Sequence, residues 1–335
     1  QSYRRTSFSG ITKRQEGREG NAKAAGFIGD ESGQDETLID MSLLGVGAHQ
    51  YAAHNVPTGL PEGVDMPLAR VPGGTYFGRV MHKVYEVVDT SKDLRAEVTR
   101  AIDIHASSAL LRPFRDQLIA GVIASYLTPL GVPFNGMALA DIAPSDRLSE
   151  LDFEMTLTNL SKGVLASDIG KLLKASLETN DLLYAYADTL SDSSFDIPLA
   201  GLLNGSIDAV IRVHAENGSP RLFITDYKTN RLDGDEDVSL IEAYAPERLV
   251  AAMEHHHYPL QALLYGTAIY RMLRWRQPAL NADEVIAGVA YFFVRGMVGV
   301  ESPKDADHMP YGVFQWKAPV GLWEKLSNLF AGDRP

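Results

Sequence analysis

The stretch GSIDAVIRVHAENGSPRLFITDYKTN, residues 205–230, organises the reading of the whole chain. Residues 206–214 and 221–227 are rich in β-branched and apolar side chains. Between them Ala215-Glu216-Asn217-Gly218-Ser219-Pro220 is turn chemistry: Asn-Gly tolerates positive φ, and Pro220 fits only the edge or start of a strand. The segment is therefore a predicted β-hairpin. Asp208 lies on its first strand, Asp226 and Lys228 on its second. Side chains alternate along a strand, so Asp226 and Lys228 share a face and Tyr227 points the other way. Two carboxylates and a lysine on neighbouring strands suit a hard, oxygen-ligated cation such as Mg²⁺, with the lysine placed to stabilise or help activate an attacking water. Spacing alone is equally consistent with an exposed hairpin carrying ordinary charges.

Composition bounds what surrounds the hairpin. The chain has 335 residues, 45% of them apolar, enough for one large or two small domains with a packed core. No apolar run approaches the ~18 residues a membrane span needs. No signal-peptide pattern follows Arg4, Arg5, Lys13 and Arg14. The absence of cysteine excludes disulfides, thiolate zinc sites and cysteine-held iron–sulfur clusters, and suits a reducing, cytoplasmic setting. The net charge of −12 runs against a free-standing tight binder of nucleic acid, which usually presents a basic face. No phosphate-binding loop is present, since Gly170-Lys171-Leu172 lacks both the upstream glycine and the hydroxyl.

Residues 20–70 are rich in Gly, Asp and Pro, and residues 29–36 read as a solvated linker. Residues 75–90, TYFGRVMHKVYEVVDT, have helical apolar spacing. There His82 and Glu86 share a face, and spacing by itself predicts a partly buried histidine bonded to Glu86. Residues 101–130 form a second helical stretch with Leu110, Leu111, Phe114, Leu118, Ile119, Val122 and Tyr126 as its core stripe. Residues 147–157 alternate as a half-buried strand. Its acids Glu150, Asp152 and Glu154 read as the wet face, so Glu150 stays outside the candidate metal set. Two short helices are expected in 162–190. Residues 240–274 are helical with an interruption at Pro246, and Pro259 suits a first helical turn, placing Gln261 and Tyr265 on one face. Side chains of His255-His256-His257 point about 100° apart on a helix and read as surface. Residues 286–295 read as a central strand buried on both faces. It ends at Arg295, expected as a surface ion pair or a phosphate contact.

An Asp on one strand and Asp-x-Lys on the next resembles the PD-(D/E)XK nuclease core. The longer string Asp226-Tyr227-Lys228-Thr229-Asn230, followed by Tyr258-Pro259-Leu260-Gln261-Ala262-Leu263-Leu264-Tyr265, resembles the C-terminal nuclease domain of RecB, the β subunit of exodeoxyribonuclease V. The resemblance extends over residues 70–330. Ile207 stands where the superfamily's name would place proline. The opening Arg5-Thr6-Ser7-Phe8-Ser9 resembles the lead-in to such a domain, so the chain is expected to be a piece of something longer.

The resemblance implies an α/β, restriction-endonuclease-like fold: a central mixed sheet flanked by helices, with helical insertions. Residues 1–70 would be a lead-in and mobile linker, and residues 71–335 the nuclease domain. It implies that the Gly78-x-x-x-His82 helix supplies a metal-ligating histidine. His82, Asp208, Asp226 and the Tyr227 carbonyl would hold Mg²⁺, in a site Mn²⁺ or Ca²⁺ would also occupy. Asp208, Asp226, Lys228, Gln261 and Tyr258 would form the catalytic set. The implied activity is metal-dependent hydrolysis of DNA phosphodiester bonds in double-strand break repair and recombination. The implied partners are DNA, single-stranded ends in particular, a helicase region of the same parent chain, and RecC- and RecD-type subunits. A reading of a different class is a nuclease-like module that binds DNA or a partner subunit without cutting.

Overall fold

The structure, a computed structural model, describes residues 5–6, 64–158, 164–232 and 240–332. The expected linker at 29–36 and most of the polar loop after Lys228 lie outside these residues. In chain order the elements are β1 (Arg5–Thr6), α1 (Thr75–Val87), α2 (Leu94–His105), α3 (Arg115–Leu127), β2 (Arg147–Thr156), α4 (Ala166–Ser176), α5 (Tyr184–Leu190), β3 (Leu202–His214) and β4 (Pro220–Lys228). After them come α6 (Pro246–His255), α7 (Tyr258–Arg276), α8 (Ala282–Val285), β5 (Ile286–Phe293), β6 (Val313–Trp316) and α9 (Leu322–Ala331).

The hairpin forms as its turn chemistry dictates. Gly218 takes φ +80°, a backbone conformation open to glycine, and Asn217 Oδ1 accepts the Ser219 N–H at 3.0 Å. β3 and β4 pair antiparallel from His214↔Pro220 to Ala209↔Thr225. β2 runs antiparallel along β3 on its other edge, β5 lies parallel to β4, and β6 closes the far side antiparallel to β5. The short β1 pairs parallel with Leu202 and Leu203 at the start of β3. The result is a mixed sheet with helices on both faces. That is the α/β architecture expected of a PD-(D/E)XK core.

Period-two alternation divides the core. Ala290, Phe292 and Val294 pack with α1, α2 and α3 on one face. Val289, Tyr291 and Phe293 pack with α4, α5, α6, α7 and α9 on the other. β5 is thus buried on both sides, as its unbroken apolar run predicts. Close approach tightens the second face: a Cβ on Gly266 of α7 would lie 2.2 Å from Trp323 of α9.

Several local expectations are corrected. The stretch 101–130 is not one helix. It breaks between α2 and α3, and Leu110 in that break is 49% exposed rather than core. Pro246 starts α6 instead of interrupting a helix, because its missing N–H falls where a helix has no acceptor to satisfy. Arg295 is no surface residue. It is 2% exposed, its guanidinium donating to the carbonyls of Leu68, Val71, Pro72 and Thr229.

Candidate active site

β3 and β4 pair as far as Ala209↔Thr225, and the next residues along are Asp208 and Asp226. There a side chain makes the link between the strands: Asp208 Oδ2 accepts the Tyr227 backbone N–H at 2.7 Å. Asp208 also lies between β4 and β2. Ser149↔Ala209 and Leu151↔Ile207 bracket Glu150, which sits across from it with φ +50°, outside the extended region. From α1, His82 Nδ1 reaches 3.1 Å from Asp208 Oδ2. One ligand atom from each of His82, Glu150 and Asp208 lies within 4.8 Å of the others.

Asp226 and Lys228 point together to the α7 side of β4. Both are buried, and Lys228 Nζ lies 2.6 Å from Asp226 Oδ1. That contact lacks hydrogen-bond alignment, so neither Asp226 oxygen has a hydrogen-bond partner among the described residues. Lys228 donates to Gln261 Oε1 at 3.0 Å. Gln261 Nε2 donates in turn to Tyr265 Oη, and Tyr291 Oη donates to Gln261 Oε1 at 3.1 Å. The Tyr258 ring covers the ammonium with its centroid 3.8 Å from Nζ. Tyr258 is itself held by its hydroxyl on Asn230 Oδ1 and by stacking against His256. Tyr227, as the alternation predicts, turns to the opposite face and stacks on Tyr85 at 4.3 Å.

The charges are strongly coupled. Burial pushes Asp226 up and the Asp208 charge adds to it, so even beside Lys228 its carboxyl titrates near about 6. Burial acts on Asp208 in the same direction, but His82 and the Tyr227 N–H more than offset it and hold that carboxyl below its ordinary value. His82 is raised: burial lowers it, and the Asp208 charge and hydrogen bond outweigh burial. Lys228 is likewise raised, since Asp226 overcomes burial, and it stays charged. Glu150 is raised by burial and by Asp208. The buried Asp226 carboxylate, whose oxygens lack hydrogen-bond donors among the described residues, and the His82, Glu150 and Asp208 cluster offer the kinds of donor that fit a divalent cation of the Mg²⁺ or Mn²⁺ type.

Several known proteins are similar to this chain over most of its length. The chain is 36% identical to the RecBCD enzyme subunit RecB of Mycolicibacterium smegmatis over 342 residues, covering 99% of this chain and 29% of that protein. This chain is RecB-like. RecB of Mycobacterium tuberculosis H37Rv is 40% identical over 80% of the chain, and RecB of Escherichia coli K12 26% identical over 78%. The chain spans 29%, 25% and 19% of these three relatives, a minor part of each. No family model matches it.

In this RecB-like chain the sequence-derived candidates form two groups close enough for their charges to interact, and Asp226, expected as a ligand with His82 and Asp208, lies outside the His82–Glu150–Asp208 cluster of ligand atoms. His82, Asp208 and the Tyr227 backbone meet on one side, and Asp226, Lys228, Gln261 and Tyr258 on the other. Three further details differ from expectation. Glu86 pairs with Lys83 at 2.6 Å, and His82 turns to Asp208 instead. Glu150, read as the wet face of β2, does stay exposed there, yet one of its carboxylate oxygens also joins the His82–Asp208 cluster. Of the three histidines, only His255 is exposed. His256 faces Asn230 at 3.3 Å, and His257 opens α7 with φ +54°, its Nδ1 3.2 Å from Tyr186 Oη. Tyr291 was not legible as a site residue. Its membership follows from the parallel register Asp226↔Tyr291.

Proposed function

We propose that this chain is the nuclease part, residues 71–335, of a RecB-type helicase–nuclease, and that it hydrolyses DNA phosphodiester bonds during double-strand break repair and recombination. The observation that supports this most directly is the placement of Asp208, Asp226 and Lys228 on adjacent strands, with His82 reaching Asp208 from α1. His82, Asp208 and Asp226, with the Tyr227 carbonyl and Glu150, would hold Mg²⁺, a role Mn²⁺ or Ca²⁺ would also fill. A bound divalent ion there supplies Lewis-acid polarisation of the scissile phosphate and acidifies a coordinated water.

The protein's own groups do the rest. Lys228 stays protonated and offers its positive charge to the phosphate oxygen on which negative charge grows. Gln261 fixes the Lys228 side chain through Oε1 and is itself fixed by Tyr265 and Tyr291. Tyr258 screens the ammonium from water on one side. Single-stranded DNA ends delivered by a helicase region of the parent chain, in an assembly with RecC- and RecD-type subunits in the cytoplasm, are the substrate and setting this reading implies. No described helix is long and apolar enough to cross a membrane.

The test is cleavage of end-labelled single- and double-stranded DNA by the chain with Mg²⁺ or EDTA, beside Lys228→Ala. Mg²⁺-dependent cutting that disappears in the variant supports the reading. Cutting that survives EDTA or the substitution sinks it. Inertness both alone and within the full helicase assembly favours the non-cutting, DNA-binding module.

A further inference from the structure

Arg295 is a guanidinium sealed in the core whose hydrogen-bond partners among the described residues are all backbone carbonyls. Its Nη1 donates to the carbonyls of Leu68 and Val71, the latter at 2.9 Å. Its Nη2 donates to Pro72 O at 3.3 Å and its Nε to Thr229 O at 3.0 Å. Its Cζ lies 4.4 Å from the centroid of the Phe77 ring. Burying a cation is costly unless its donors are used, and here four acceptors converge on one fork-shaped group that a lysine ammonium matches poorly.

The two sets of partners belong to different halves of the candidate site. Leu68, Val71, Pro72 and Phe77 form the approach to and first turn of α1, which carries His82 five residues beyond Phe77. Thr229 follows Lys228 directly, at the end of the strand that carries Asp226. Arg295 itself leaves the end of β5, whose last pairing with β4 is Lys228↔Phe293. Arg295 thus ties the approach to the His82 helix to the Asp226–Lys228 strand end, and the Tyr85–Tyr227 stack joins the same two elements further along.

We propose that Arg295 is a positioning residue for the cation site: it fixes the distance between His82 and the carboxylates on β3 and β4. The proposal rests on reading that cluster as a divalent-cation site, and it assigns Arg295 no contact with substrate or metal. Loosening the clasp lets α1 drift and removes His82 from the donor set while the carboxylates stay in place.

The experiment is titration calorimetry of Mn²⁺ into the 335-residue chain, with thermal melting in EDTA as a check that each variant is folded. The variants are Arg295→Gln, Arg295→Lys, His82→Ala and the His82→Ala/Arg295→Gln double. Arg295→Gln is expected to weaken Mn²⁺ binding by about tenfold, and Arg295→Lys, which keeps the charge but not the fork, by less. In the His82→Ala background Arg295→Gln is expected to change affinity by less than about twofold, because the effect travels through His82. Equal loss in both backgrounds overturns the proposal, since a general loosening of the fold acts regardless of His82. So does wild-type affinity in folded Arg295→Gln. If Arg295→Gln does not fold, the same comparison is made with Arg295→Lys. A wild-type chain that takes up no Mn²⁺ removes the cation-site reading, and this proposal with it.

Discussion

Lys228 Nζ stands 2.6 Å from Asp226 Oδ1, with both side chains buried and neither Asp226 oxygen otherwise bonded among the described residues. The lysine therefore offsets the Asp226 charge without supplying it a hydrogen bond. A divalent ion would have to share that carboxylate with it. Lys228→Ala is accordingly expected to abolish DNA cleavage, by at least about 100-fold, through loss of charge stabilisation at the phosphate. Mn²⁺ affinity, read by calorimetry, should stay the same or tighten. A variant that lost cleavage and metal binding together would show that Lys228 holds the site's shape instead.

Glu150 tests whether the cluster with His82 and Asp208 works as a ligand set. Glu150→Gln keeps the size and the acceptor oxygen but removes the charge. We expect it to weaken Mn²⁺ by roughly tenfold while the melting temperature in EDTA stays equal or rises, because burial and Asp208 both disfavour the Glu150 charge. Unchanged Mn²⁺ binding would return Glu150 to the solvated face of β2.

His82 gives a pH signature. Its folded pKa is raised above the ordinary 6.5 by Asp208. A raised base binds its proton more tightly in the folded state, so the stabilisation is complete below the ordinary value and lost as pH climbs through the folded one. In EDTA, the melting-temperature advantage of wild type over His82→Gln should be largest near pH 5.5 and shrink by pH 8.5. An advantage that grows with pH would contradict the His82–Asp208 ion pair.

Packing between α7 and α9 predicts a stability effect remote from the site. A methyl on Gly266 meets the Trp323 ring at 2.2 Å. Gly266→Ala should cost about 1–3 kcal/mol in denaturant unfolding, and Trp323→Phe should recover part of the loss in the double variant. Additive losses would mean that contact with the Trp323 ring is not the source of the Gly266→Ala cost.

How far the site was legible depended on how local its signals were. The hairpin was readable because Asn217-Gly218 and the flanking β-branched runs act over a few residues, and the period of two then placed Asp226 with Lys228 and turned Tyr227 away. Gln261 and Tyr265 were readable as one face of α7 from their spacing of four. The resemblance to RecB nuclease domains supplied His82 as a ligand, where spacing alone favoured Glu86. Glu150 was hidden because alternation places it on the exposed face, where it does lie, and only the packing of α1 and β3 beside β2 brings His82 and Asp208 to it.

The sequence by itself determined the local pieces of this protein: the hairpin, the central apolar strand, the helix behind Gln261, and the residue types able to bind a hard cation. Those features depend on turn propensity, side-chain periodicity and ligand chemistry, all of which act within a few residues. Only the tertiary structure decided which pieces meet. The parallel register that sets Tyr291 beside Asp226, the approach of His82 to Asp208, and the burial of Arg295 among four carbonyls join residues far apart in the chain. Such contacts arise from packing two layers of helices on one sheet; desolvation in that packed interior brings Asp226 up to a pKa of about 6, while the charge of Asp226 keeps Lys228 protonated against the same burial.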